Sequence, residues 1–524
     1  INCTRLEPRF TKVAQSRLVL NIFYFVIKMK FRNTLFILLL PFWYSCATSH
    51  YSPAKKYPAA ALKEDYRLLR NILEAKHPSL YWYTSKDSMD YYFDFYERVI
   101  PDSMNEPMFA WHILAPLTQK IHCGHTSVSL SNSYANWVKN RQLPSFPLYI
   151  KAWKDTLVVL GSLTRNDSIF KRGTLITSIN GIRNRYIIER MFNFLPEDGY
   201  ASNINYLRIS SNFPYFHRNI FGLSRQYSIT YLDSLHTEKQ VTIAAWEPPK
   251  PDSTKKKMSK TKIKKLKLPK EKRENRFRSF TIDSTANLAV MNINSFTKGH
   301  LRKFYRRSFK KLKQENITNL IVDIRSNGGG RVGLSTMLTR YVSRKPFKVA
   351  DSLYSVAKSM APYTNHIKNG LLTNIELFFI TKKYKDGYFH LGHLERKTFK
   401  PKTKNNFKGK VYILTNGPTF SASALFCNAM KGQPGVTLVG EETGGGWYGN
   451  NGIIIPDIVL PNTKIRVRLP LFRLLQFEHD KVPQKGTGVI PDIYCGPSLD
   501  ALIHKVDNKM EAVIKMIRSE NSQQ

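Results

Sequence analysis

Ser421 stands where a serine hydroxyl could act as a nucleophile. It comes after Val411-Tyr-Ile-Leu-Thr, a β-branched and aromatic run that reads as a buried strand. Asn416-Gly417-Pro418 then breaks the chain sharply. Thr419 can cap the next segment, Ala422 to Met430, which is rich in helix formers. Strand, tight turn and helix in that order put a hydroxyl at a helix N-terminus. Free backbone N–H groups and the positive end of the helix dipole favour developing negative charge there, which acyl transfer needs for its oxyanion. Taken alone, the segment reads more plainly as Ser421 and Ser423 acting only as caps. A second stretch, Asn319-Leu-Ile-Val-Asp-Ile-Arg-Ser-Asn-Gly-Gly-Gly330, is another buried-strand run ending in three glycines. Such glycines let backbone amides approach a ligand with no Cβ in the way.

Together the two stretches resemble the C-terminal-processing (tail-specific) serine peptidase family. Its strand end and its nucleophile turn correspond to Asp323-Ile-Arg-Ser-Asn-Gly-Gly329 and Thr419-Phe-Ser-Ala-Ser423, with the nucleophile aligned on Ser421 rather than Ser423. Gly440-Glu-Glu-Thr-Gly-Gly-Gly446 and Gly486-Thr-Gly-Val-Ile-Pro-Asp492 are further matches in the same order. The resemblance spans about Ile282 to Cys495. It implies a serine peptidase that needs no cofactor or metal, with the backbone N–H groups of Gly328, Gly329 and Ala422 as oxyanion donors. Asp323 and Arg325 are expected to brace the strand end.

A serine hydroxyl needs a base within hydrogen-bond reach. Many family members supply a lysine after the Gly-Glu-x-Thr segment, but here the aligned position is Gly446 and no lysine occurs between Lys431 and Lys464. The sequence is more similar to the tricorn-like branch, whose base is a histidine from the N-terminal part. Ile121-His-Cys-Gly-His-Thr126 resembles the Gly-His-Thr element of that branch and nominates His125, with His122 as the nearest competitor. A carboxylate that orients the imidazole would complete the set. Glu478 is the choice from sequence, with Glu442 and Asp480 as alternatives.

These residues need several bodies to position them, and 524 residues suffice for about three domains. The expected fold class is α/β, or more fully α+β multidomain. Residues 59–131 read as an N-terminal helical region, and 146–246 as β-rich, Gly173 to Ile182 there resembling part of a PDZ domain. Residues 249–277 form a basic linker, 280–500 an α/β peptidase core of alternating strand and helix patterns, and 501–524 a C-terminal helix and tail. The stretch from Pro346 to Phe407 reads either as a lid or substrate wall or as an ordinary surface insertion.

Residues 1–28 fit poorly with the rest of the chain and read as an upstream extension. Met29-Lys-Phe-Arg, the apolar Leu35 to Leu40 and then Cys46 resemble a bacterial lipoprotein signal, with Cys46 lipidated. The expected setting is therefore the cell envelope, with the membrane as partner through a lipid anchor and proteins or peptides as substrates. The five cysteines match no metal-site or disulfide spacing, though Cys123 and Cys495 could pair. A net charge of +43 invites a nucleic-acid reading. The densest basic run lies in the linker and no nucleic-acid motif accompanies it, so no nucleic-acid partner is expected. A non-catalytic peptide- or ligand-binding protein on the same fold is the alternative function.

Overall fold

The computed structural model describes residues 51–164, 167–249 and 274–521. The expected extension 1–28, the signal 29–46 with Cys46, and the greater part of the basic linker lie outside the described residues.

A six-stranded sheet organises the C-terminal half. Its strands run in the order Arg278–Asp283, Leu288–Ile293, Asn319–Asp323, Lys410–Thr415, Val436–Gly440 and Ile493–Tyr494. The first pair is antiparallel and every later pair parallel. Central parallel strands are covered on both faces, so their near-continuous apolar sequences sort by alternation. Leu320, Val322, Val411 and Ile413 point towards the helices Leu301–Gln314, Val332–Val342 and Ala422–Met430. Ile321, Tyr412 and Leu414 point the other way, against Val513 and Ile517 of the last helix, Asn508–Asn521. Leu301–Gln314 buries Leu301, Phe304, Tyr305, Phe309 and Leu312 and turns its lysines and arginines outward, as its periodicity requires.

The stretch 346–407 is more than a surface insertion. Its strand Ala350–Ser355 pairs antiparallel with Phe472–Gln476, which also pairs with Gly449–Gly452. This second sheet shares one apolar core with the N-terminal helices Ala59–Lys76 and Lys86–Arg98, through Leu353 and Leu474 on one side and Leu69 and Phe93 on the other. Residues 146–246 carry an antiparallel sheet in the order Leu148–Trp153, Thr156–Ser162, Leu175–Ile179, Gln226–Leu232, Glu238–Ala244. The helices Asn184–Phe192, Asn203–Ser211 and Phe213–Phe221 pack on it. Cys123 and Cys495 are both free: Cys123 is buried and accepts the Asn451 Nδ2–H at 3.2 Å, while Cys495 lies beside the last helix.

Candidate active site

The parallel register pairs Asp323 with Leu414, so two neighbouring strands end together. The turns after them meet at the carboxyl edge of the sheet, where α/β sheets ordinarily place ligands. Asn327 fastens the two turns. It is wholly buried; its Nδ2 donates to the Ile293 carbonyl at 3.0 Å, and its own carbonyl accepts the Phe420 N–H at 3.1 Å. Thr419 does not cap the helix. Its hydroxyl donates to the Ile324 carbonyl at 3.1 Å and accepts the Asn416 N–H at 3.1 Å, so it braces one turn against the other.

Ser421 is the residue before the helix Ala422–Met430, with φ +56° and ψ −122°. That backbone is sparsely populated for any residue with a Cβ and costs on the order of 1–3 kcal/mol. The surrounding glycines leave room for it. A Cβ on Gly329 would lie 2.8 Å from the Ser421 Cβ and 2.9 Å from the Ala422 nitrogen, and one on Gly445 would lie 2.9 Å from the Ser421 nitrogen. Ser421 borders a cavity of about 870 Å³, while Ser423 is fully buried with an unpartnered hydroxyl, so only Ser421 is presented to a ligand.

The oxyanion candidates differ from one another. The Gly329 N–H is already engaged by the Asn327 Oδ1 at 2.9 Å. The N–H groups of Gly328 and Ala422 meet no acceptor among the described residues, and Ala422 is the first residue of its helix. Asp323 and Arg325 act as a brace, since the guanidinium joins Asp323 at 2.7 Å to Asp507 at 2.6 Å.

His125 lines the same cavity, packed on Phe420 with ring centroids 4.7 Å apart. Its segment is held by His77, whose Nε2 meets the Thr126 hydroxyl at 2.9 Å. The Nδ1 of His125 is buried, has no hydrogen-bond partner, and lies 3.9 Å from the Asp198 Oδ1. Asp198 is itself buried; its Oδ1 accepts the Gly124 N–H at 2.8 Å and its Oδ2 faces the Gly446 N–H at 3.4 Å. His122 points elsewhere. Its Nδ1 meets the Gly199 carbonyl at 2.8 Å, which pins the loop carrying Asp198.

The structure does not bring Glu478 to the cavity. Its backbone is left-handed at φ +57°, and its exposed carboxylate pairs with Lys481 at 2.7 Å. Asp480 is exposed in the same turn, and Glu442 accepts the Gly488 N–H at 2.6 Å. Nothing in Pro196-Glu-Asp-Gly199 marks Asp198 as different from any turn aspartate. Its position depends on Gly199, with φ +60°, where a Cβ would lie 2.5 Å from the Gly486 Cα. The Gly486-Thr-Gly segment therefore backs the Asp198 loop, and the Gly440 to Gly446 segment backs Ser421. A Cβ at Gly446 would lie 2.4 Å from the Gly449 carbonyl oxygen, which leaves no place for the lysine of the Ser-Lys arrangement.

A serine at a helix start, a histidine lining the same cavity and unengaged N–H groups beside it can support acyl transfer. Residues 287–495 match the model "Peptidase family S41", and this part of the chain is a serine peptidase domain of that family. The fold agrees. The structure of mature CPAF complexed with lactacystin is similar at a TM-score of 0.58 and 12% identity, over 88% of this chain and 98% of that one. The crystal structure of mature CPAF gives 0.58 and 13%, over 88% and 96%. No curated protein matches the chain.

Proposed function

We propose that the protein is an endopeptidase of the cell envelope that cleaves peptides or flexible protein tails, with Ser421 as nucleophile and His125 as its base. The observation that carries this reading is one cavity shared by Ser421 and His125, with the far nitrogen of His125 turned towards a buried carboxylate. The Ser421 hydroxyl attacks the scissile carbonyl carbon and its proton passes to Nε2 of His125. Asp198 faces Nδ1 and favours the imidazolium that forms. The N–H groups of Gly328 and Ala422 receive the oxyanion. His125 then returns the proton to the departing amine, and a water molecule, deprotonated by the same nitrogen, releases the acyl group. The histidine-base branch of the family fits this arrangement better than the lysine branch, because position 446 has no room for a side chain. The β-rich region 146–246 is read as PDZ-like, a module that takes peptides by strand addition. The Met29 to Cys46 sequence supports export with a lipid on Cys46.

The decisive test is labelling with a fluorophosphonate probe. The folded parent should label and cleave an unstructured peptide, Ser421→Ala should do neither, and His125→Ala should lose on the order of 10²–10⁴-fold in rate while still binding peptide. A folded parent that binds peptide without labelling would instead mark a binding protein on a peptidase fold.

A further inference from the structure

The helix Gly370–Ile380 carries its apolar stripe on the outside. Leu371, Leu372, Ile375, Phe378 and Phe379 recur at the spacing that ordinarily faces a core. Each of them is 54–78% exposed, whereas Gly370, Thr373 and Leu377 are the residues turned inward. Single exposed apolar side chains are ordinary, but five on one helical face mark a contact surface.

The rim of this patch is basic. Lys358 lies over the Phe378 ring at 4.4 Å. Lys368 precedes the helix and Lys382, Lys383 and Lys385 come after it, all exposed. None of these five lysines forms an ion pair among the described residues. Glu376 is the single acid of the helix, and Asp386 nearby is engaged by His390 at 2.8 Å. Tyr388, on the adjoining hairpin, is exposed as well.

We propose that Gly370–Ile380 docks the protein on an anionic lipid bilayer, lying in the plane of the interface. Leucine and phenylalanine side chains on one face enter the acyl boundary by about 5–10 Å, as interfacial helices do. Lysines flanking such a face extend along it and hold their ammonium groups among anionic headgroups, and tyrosine favours the same depth. Charge decides against a second copy of the chain as occupant. That contact would set the same five unpaired lysines and two chains of net charge +43 against each other, with Glu376 the one acid of the helix to answer them. This inference does not rest on lipidation of Cys46, and a peptidase of any substrate preference could carry it.

The test uses the full chain and reads the helix itself, so that binding through the N-terminal segment does not mask the result. Phe379→Trp is mixed with vesicles of phosphatidylglycerol and phosphatidylethanolamine whose acyl chains carry bromine. Its emission, taken as the difference from the parent, should shift to the blue and be quenched. Amide hydrogen exchange over 370–383 of the parent should slow with the same vesicles and change little with phosphatidylcholine alone. Phe378→Ser combined with Phe379→Ser should remove the slowing, because losing two buried aromatic rings weakens docking tenfold or more, a rough minimum. That variant should cleave a soluble peptide at the parental rate, which shows that it is folded. The proposal is overturned if the anionic vesicles neither quench Phe379→Trp nor slow exchange, or if neutral vesicles do both equally well. It is also overturned if exchange over 370–383 slows with protein concentration in the absence of lipid, which identifies a second copy as the occupant.

Discussion

Replacing Asp198 by asparagine isolates the contribution of one negative charge. The carboxylate faces three groups: the Gly124 N–H at 2.8 Å, the Gly446 N–H at 3.4 Å and the His125 Nδ1 at 3.9 Å. Asparagine keeps the shape but has one oxygen, so whichever way the amide turns, its NH₂ meets a backbone donor. The larger effect falls on the transition state of the proposed mechanism, in which His125 as base carries a positive charge. Two unit charges 3.9 Å apart interact by about 4 kcal/mol at an effective dielectric of about 20. Losing that attraction lowers the rate on the order of 10³-fold. The assay is kcat/KM on a fluorogenic peptide, with fluorophosphonate labelling as a second measure and urea unfolding as the control for structure. The expected result is a fall of about that size in both rates with KM little changed, while Glu478→Ala stays within about twofold of the parent, an exposed surface change. A folded Asp198→Asn protein within about threefold of parental kcat/KM would refute the electrostatic argument.

Ser421→Gly should abolish labelling yet stabilise the fold by roughly 1 kcal/mol, because glycine relieves the φ of +56°; a lower urea midpoint than the parent would contradict this. Gly329→Ala should impair both folding and activity, since the new Cβ meets the Phe420 carbonyl at 2.7 Å and φ is +93°; a cost of about 2 kcal/mol or more in urea unfolding is expected. Burial pushes the His77 imidazole down to about 3, against about 6.5 in an unfolded chain. The folded state therefore binds fewer protons between those values, so this stabilisation is complete above about pH 6.5 and declines as pH falls, by up to about 1.4 kcal/mol per unit. Urea midpoints at pH 7.5 and 5 should fall further apart in the parent than in His77→Gln, and equal differences would remove His77 as the cause.

The parts of the site that local sterics dictate are legible in the sequence. A β-branched run, an Asn-Gly-Pro break and an alanine-rich segment can hardly form anything but the strand, turn and helix around Ser421. Three glycines in a row likewise announce a close approach of backbone. The parts set by remote partners are not legible. Thr419 looks like a cap, but its hydroxyl is taken by the Ile324 carbonyl in the turn after a different strand. Asp198 is an ordinary turn residue until Gly486 closes on Gly199. Glu478 lies near other site motifs in sequence, yet its left-handed backbone turns it to Lys481. The 346–407 stretch shows weak periodicity because its strands are short and find their partners at Phe472–Gln476 and within the N-terminal helices' core.

That shared core governs when the enzyme can first act during its own synthesis. Ser421 is made 296 residues after His125, and the strand Phe472–Gln476, which joins the N-terminal helices to the second sheet, comes later still. At a translation speed of roughly 5–20 residues per second, about 15–60 seconds separate the synthesis of His125 from that of Ser421. The proposed pair of His125 and Ser421 can therefore be assembled only late in the synthesis of these residues, after the second sheet has its strand Phe472–Gln476.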